Sequence, residues 1–238
     1  TSQGVQAGER VLITIDPKKP VLKTLEDLGM RDSMREQFKK LMDSHGGFVL
    51  ISGLAGHGLP TTWRVALENT DKFTRDWVAL EDERSPEPEI INVTPHLIRS
   101  NDGETPMERL YQMNLKQPDV YVMPSLYDAE VVKSLLLQVT KLNKQVVTRI
   151  QASDAVDAVL QLLGAFRTES KEILERLHGV LCQRMVRRLC ETCKQPFAPT
   201  PQMLQKLGIP PGRINKLYQP YVLPPPDKRV DDKGNPIE

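Results

Sequence analysis

Short apolar runs and stretches of helical period take turns along most of this chain. The run at 47–52, GFVLIS, is apolar almost throughout, as in a strand covered on both faces of a parallel sheet. DWVALED (76–82), PDVYVM (118–123) and KQVVTRI (144–150) read the same way, and RVLITI (10–15) alternates enough to be a strand closed by DPKKP. EPEII (87–91) reads as a short edge strand. Between these, SMREQFKKLM (33–42) sets Met34, Phe38, Leu41 and Met42 at helical spacing. TTWRVALEN (61–69) and PMERLYQMNLK (106–116) suit helices, and 128–141 is a helix with Asp128 as its N-cap. The segment 153–166 opens on a Ser/Asp cap and is a strongly apolar helix, and 169–190 reads as one or two more helices. Strands alternating with helices predict an α/β fold with a mainly parallel sheet.

Composition narrows the partners. The chain has 238 residues with a formal net charge of +1, enough for a substantial core but without a global field for nucleic acid or anionic lipid. No apolar run approaches the roughly 18 residues that span a bilayer, so direct membrane insertion is not expected. Three cysteines are too few and too unevenly spaced for a disulfide framework, which suits a reducing cytoplasm. The opening TSQGVQAGER and the Pro-rich close read as cuts through a longer protein.

The stretch GLAGHGLPTTW, Gly53 to Trp63, raises the first chemical question. A glycine-spaced loop after a strand and before a helix is how a phosphate-binding loop begins: backbone N–H groups and a helix N-terminus face the anion. Such a loop also needs a lysine near the β- and γ-phosphates and a Ser or Thr hydroxyl on Mg²⁺. Here Gly53, Gly56 and Gly58 keep the turn, but Leu59 stands where the lysine is needed and Pro60 where the hydroxyl is needed. Thr61 or Thr62 reaching a metal, and His57 or Arg64 approaching phosphate, are the substitutes in range. The plainer alternative is that the glycines only turn the chain.

Several further stretches share one resemblance: GERVLITI, LEDLGM followed by GGFVLISG, QPDVYVM, AVLQLLGAF and, most specific, LHGVLCQRMVRRLCETCKQPF. Over roughly residues 8 to 208 the chain resembles the C-terminal domain of the assembly ATPases of type II secretion and type IV pili. The family's Gln-Arg-x-Val-Arg-Arg-x-Cys-x-x-Cys run stands here at Gln183–Cys193. The resemblance implies a RecA-like P-loop NTPase core over 21–170. A strand and linker left from a preceding domain would occupy 1–20, and a helical, cysteine-containing extension 171–238. It also implies ATP with Mg²⁺, a hexamer, and work at the cytoplasmic side of the bacterial inner membrane with secretion or pilus machinery proteins.

The family's other charged positions fall at 81–82, 124–128 and 149–151 of this sequence. Glu81-Asp82 resembles its aspartate box, with both acids kept, though acids at a strand end often only meet solvent. Its Gly-Glu at the end of the next strand is Pro124-Ser125, and its Arg-Asp is Tyr127-Asp128. A serine hydroxyl is no general base at neutral pH. Its histidine box aligns with Arg149-Ile150-Gln151, so the histidine is Gln151; Arg149 either pairs with a neighbouring acid or faces a ligand. Cys190 and Cys193 are half of a tetrathiolate zinc site, which needs four ligands. Zinc is thus expected only in a longer chain carrying a second pair, and Cys182 reads as a small buried side chain on a helix. Arg184, Arg187 and Arg188 lack the aromatic interleaving of a nucleic-acid site. The expectation is a catalytically impaired homologue that serves as a structural or regulatory subunit. A working motor with substitute residues and a nucleotide-sensing module are the alternatives.

Overall fold

The structure, a computed structural model, describes residues 2–5, 8–11, 22–210 and 212–221. Six strands form one sheet in the order β5-β4-β6-β7-β3-β8. They are β3 (Phe48–Gly53), β4 (Trp77–Asp82), β5 (Thr94–Ile98), β6 (Val120–Met123), β7 (Gln145–Gln151) and β8 (Leu177–Gln183). Every pairing between them is parallel. The apolar runs lie at the centre: β3 and β6 are buried at every position, which a strand sandwiched between helical layers requires.

The helices α1 (Asp32–Met42), α2 (Leu59–Glu68), α3 (Pro106–Asn114), α4 (Ala129–Leu142), α5 (Ala155–Ala165) and α6 (Ser170–Arg176) supply the covering faces. Two buried clusters result. Phe38, Trp63, Leu67 and Val49 belong to one, and Leu50, Leu80, Leu135 and Leu162 to the other. Helix starts follow the local chemistry. Asp128 accepts from Val131 N–H at 2.9 Å and Asp154 from Asp157 N–H at 2.8 Å, while Thr105 and Glu108 form a reciprocal capping box.

Three expectations need correcting. EPEII is not a strand: residues 86–90 have no regular structure, and the edge strand is Thr94–Ile98. It carries Pro95, which an edge tolerates because one side of it needs no ladder donor. Within 169–190 only Ser170–Arg176 is helical; Leu177–Gln183 is a strand paired with β3, so Cys182 sits on a strand and the core sheet runs past residue 170. The described residues fall into two compact units, one running to Arg184 and one beginning at Met185. The second is not helical throughout: it holds β9 (Gln195–Phe197) paired antiparallel with β10 (Leu217–Gln219), and one short helix, α7 (Pro201–Lys206). Near the start, β1 (Ser2–Val5) and β2 (Gly8–Val11) form an antiparallel pair, and the rest of the expected strand at 10–15 lies outside the described residues.

Candidate functional site

The glycine loop sits where a parallel sheet presents its ligand end, at the carboxyl end of β3 and the start of α2. Gly56 (φ 74°) and Gly58 (φ 81°) occupy the left-handed region, and Gly58 is the N-cap of α2. A side chain on Gly53 would come within 3.2 Å of the Gln183 carbonyl oxygen, so β3 and β8 close tightly here. Much of the loop's polar backbone is already engaged. His57 N–H donates to Leu54 O at 3.0 Å, Thr62 N–H to Gly58 O at 3.0 Å, and the Gln183 amide donates to His57 O.

Leu59, Pro60 and Arg64 bring no unengaged cation to the start of α2. Leu59 is 5% exposed and packs in the helix–sheet core, and Pro60 lies in the first turn, where it brings no N–H. Thr61 is half-buried; Thr62 is buried, and its hydroxyl, without a hydrogen-bond partner, borders a small cavity shared with Leu181 and Gln183. Arg64 is committed elsewhere, to Glu68 at 2.9 Å and to Leu22 O at 2.9 Å.

Leu59 and Pro60, Ser125, and Arg149 with Gln151 converge from three separate segments on one cavity of about 470 Å³. Tyr127, in a left-handed backbone conformation (φ 53°), also borders it. Its hydroxyl reaches Leu80 O at 3.5 Å, and burial pushes its pKa up to about 12, so it stays a neutral phenol. Among the lining residues only Arg149 is charged at neutral pH. Its guanidinium is held by Glu87 in two bonds of 2.9 and 2.5 Å, and stacks over the Trp63 ring at 5.4 Å. Of the two alternatives for Arg149, the pairing with an acid is the one met, and its partner is Glu87. Glu87 was not signalled by any motif; it lies in the loop after β4 and meets Arg149 only through the fold.

The two kept acids part company. Asp82 is held well below the usual carboxylate range by Arg84, whose side chain and backbone N–H both donate to it, and Ser100 O–H adds a bond at 3.2 Å. Glu81 is buried, accepts Glu87 N–H at 2.9 Å, and has its pKa raised, chiefly by burial. It does not line the first cavity but a second one, beneath the 83–93 loop. In the C-terminal unit Cys190 and Cys193 are exposed free thiols; backbone N–H groups of Cys193 and Thr192 lower the Cys190 pKa. Among the described residues no group of three or more His, Cys, Asp or Glu side chains is placed to hold a metal ion.

Comparison with known proteins places this geometry. Type II secretion system protein E of Pectobacterium carotovorum subsp. carotovorum is 30% identical over 217 residues, 91% of this chain and 42% of the relative. The type IV pilus assembly ATPase PilB of Thermus thermophilus is 28% identical over 214 residues, 89% of this chain and 24% of that protein. The chain thus spans less than half the length of these relatives. The ATPase DotB of Legionella pneumophila superposes with a TM-score of 0.54 at 18% identity, covering 78% of this chain and 52% of that one. The pilus retraction motor PilT, solved with ADP bound, gives 0.51 at 17%, covering 78% and 58%. At such identities the two structures speak to the fold, which is that of the P-loop ATPases. The family model described as type II/IV secretion system protein matches residues 4–221, and the chain belongs to that family.

Proposed function

We propose that this chain is a catalytically impaired member of the secretion and pilus ATPase family, acting as a structural or regulatory subunit of such a machine. The observation that supports this most directly is the lining of the 470 Å³ cavity. Leu59, Ser125 and Gln151 stand there together, where the resemblance asks for a lysine, a glutamate and a histidine. Hydrolysis needs a cation on the phosphates and a carboxylate to orient water. Neither side chain is offered, and the nearby cation, Arg149, is spent on Glu87. Each charge-assisted bond lost is worth about 1.5–3 kcal/mol, so losing two or more removes tight binding. In the full-length protein the subunit would join a hexamer, of its own kind or mixed with an active relative, at the cytoplasmic face of the inner membrane. Zinc would enter only through a second cysteine pair outside this stretch.

Titration of the protein with a fluorescent ATP analogue and Mg²⁺ tests the reading. The expected result is no saturation in the micromolar range. Micromolar binding overturns it, and phosphate release that disappears in Glu81→Ala would establish a working motor instead.

A further inference from the structure

The second cavity, about 230 Å³, lies between α2, β4, β6 and the loop after β4; of its lining residues only Pro124 also borders the first. Its inner wall is hydrocarbon. Trp63 and Leu67 come from α2, Ala79 from β4, Val122 from β6 and Ile90 from the loop, none more than 9% exposed. Four prolines, 86, 88, 95 and 124, complete much of the rest and bring no N–H group to it.

Into this apolar wall the fold sets one buried carboxylate, Glu81, 8% exposed. Its Oε2 accepts the Glu87 N–H at 2.9 Å, and no hydrogen bond from the described residues reaches Oε1. That oxygen is not sealed from solvent, and the largely apolar wall around it strengthens any ion pair it makes. The surrounding charge says with what. Glu81, Glu87 and Glu89 all line the cavity, and Arg149 offsets one of the three through Glu87, so the local field favours a cation. A hard metal ion is a poor match, since among the described residues no three His, Cys, Asp or Glu side chains are placed to hold one. The volume falls below the roughly 300–1,000 Å³ of drug-sized sites, so the occupant is fragment-sized.

We propose that this cavity binds a small organic ammonium ion with a compact apolar body, its charged end on the free carboxylate oxygen of Glu81 and its body against Trp63 and Leu67. Such a role differs from holding metal or water at a phosphate, and it stands whether or not the chain binds nucleotide.

Benzylammonium and its neutral isostere benzyl alcohol distinguish the idea from a merely structural carboxylate. Both are titrated into the full chain while the Trp63 indole N–H is followed by NMR. Benzylammonium is expected to saturate, to weaken tenfold or more in Glu81→Gln, and to be excluded by Val93→Trp, which narrows the cavity from its rim; benzyl alcohol is expected to bind Glu81→Gln and the parent alike. Benzylammonium that fails to saturate at millimolar concentration, or binds Glu81→Gln as tightly as the parent, overturns the proposal. A folded Val93→Trp protein that still takes up the ion at the parent's affinity overturns it equally.

Discussion

Arg149 shows how much one side chain can tie together. It ties β7 to the loop after β4 through Glu87, and to α2 through Trp63. Truncating it strands a carboxylate whose side chain is only 17% exposed. Arg149→Ala is therefore expected to cost about 2–3 kcal/mol in urea unfolding. Arg149→Met with Glu87→Gln should recover much of that, because no unpaired charge remains. Glu81 gives a prediction of opposite sign. Its pKa is raised above the ordinary 4.5, so the folded state holds this proton more tightly than the unfolded chain. The linked stability is present below 4.5 and is lost as pH climbs through the raised value. Glu81→Gln should accordingly melt at a higher temperature than the parent at neutral pH, with the gap closing in acid; a scan of Tm against pH checks it. The sequence marked Arg149 as out of place and offered an acid as partner, but it could not name Glu87. The pairing depends on where a non-regular loop returns to the sheet, and no periodicity encodes that.

At the scale of elements, α2 carries the glycine loop, and its far end is held by an uncommon device. Lys72 is buried and donates to Leu67 O at 2.7 Å, Thr70 O at 3.0 Å and Glu68 O at 3.2 Å, a cation on the carbonyl end of the helix. Lys72→Met is expected to lower stability by about 2 kcal/mol, seen as a reduced urea midpoint with an unchanged slope. The central strands and most helices were legible because burial on both faces leaves long apolar runs and caps leave Asp or Thr at fixed places. The two outer strands were not. In β8 the pattern Leu177, Val180, Leu181 continues the preceding helix's spacing, and only pairing with β3 makes it extended. In β5, Pro95 argues against a strand unless the strand is known to lie at an edge.

Taken whole, the molecule keeps the framework of a P-loop ATPase while its first cavity is bordered by neutral side chains and one engaged arginine. Whether the loop retains a phosphate-ready shape can be asked directly. Leu59→Lys with Pro60→Thr restores a cation and a hydroxyl at the start of α2, and nucleotide affinity should rise at least tenfold over the parent, measured by the same fluorescent titration. No rise would mean that the backbone bonds within 54–62 have closed the cradle. The glycine spacing and the altered positions could be read from the chain alone. That Leu59, Ser125 and Gln151 border one space, while Glu81 belongs to another, required the fold.

The glycine-loop strand β3 is flanked by β7 and β8, both from the later part of the chain. During synthesis it can gain no lateral neighbour until Gln145–Gln151 has left the ribosome, and it keeps one bare margin until Gln183 follows. Such distant pairings close slowly. Until then a strand that is apolar almost throughout lies open, the kind of surface that invites association between unfinished chains.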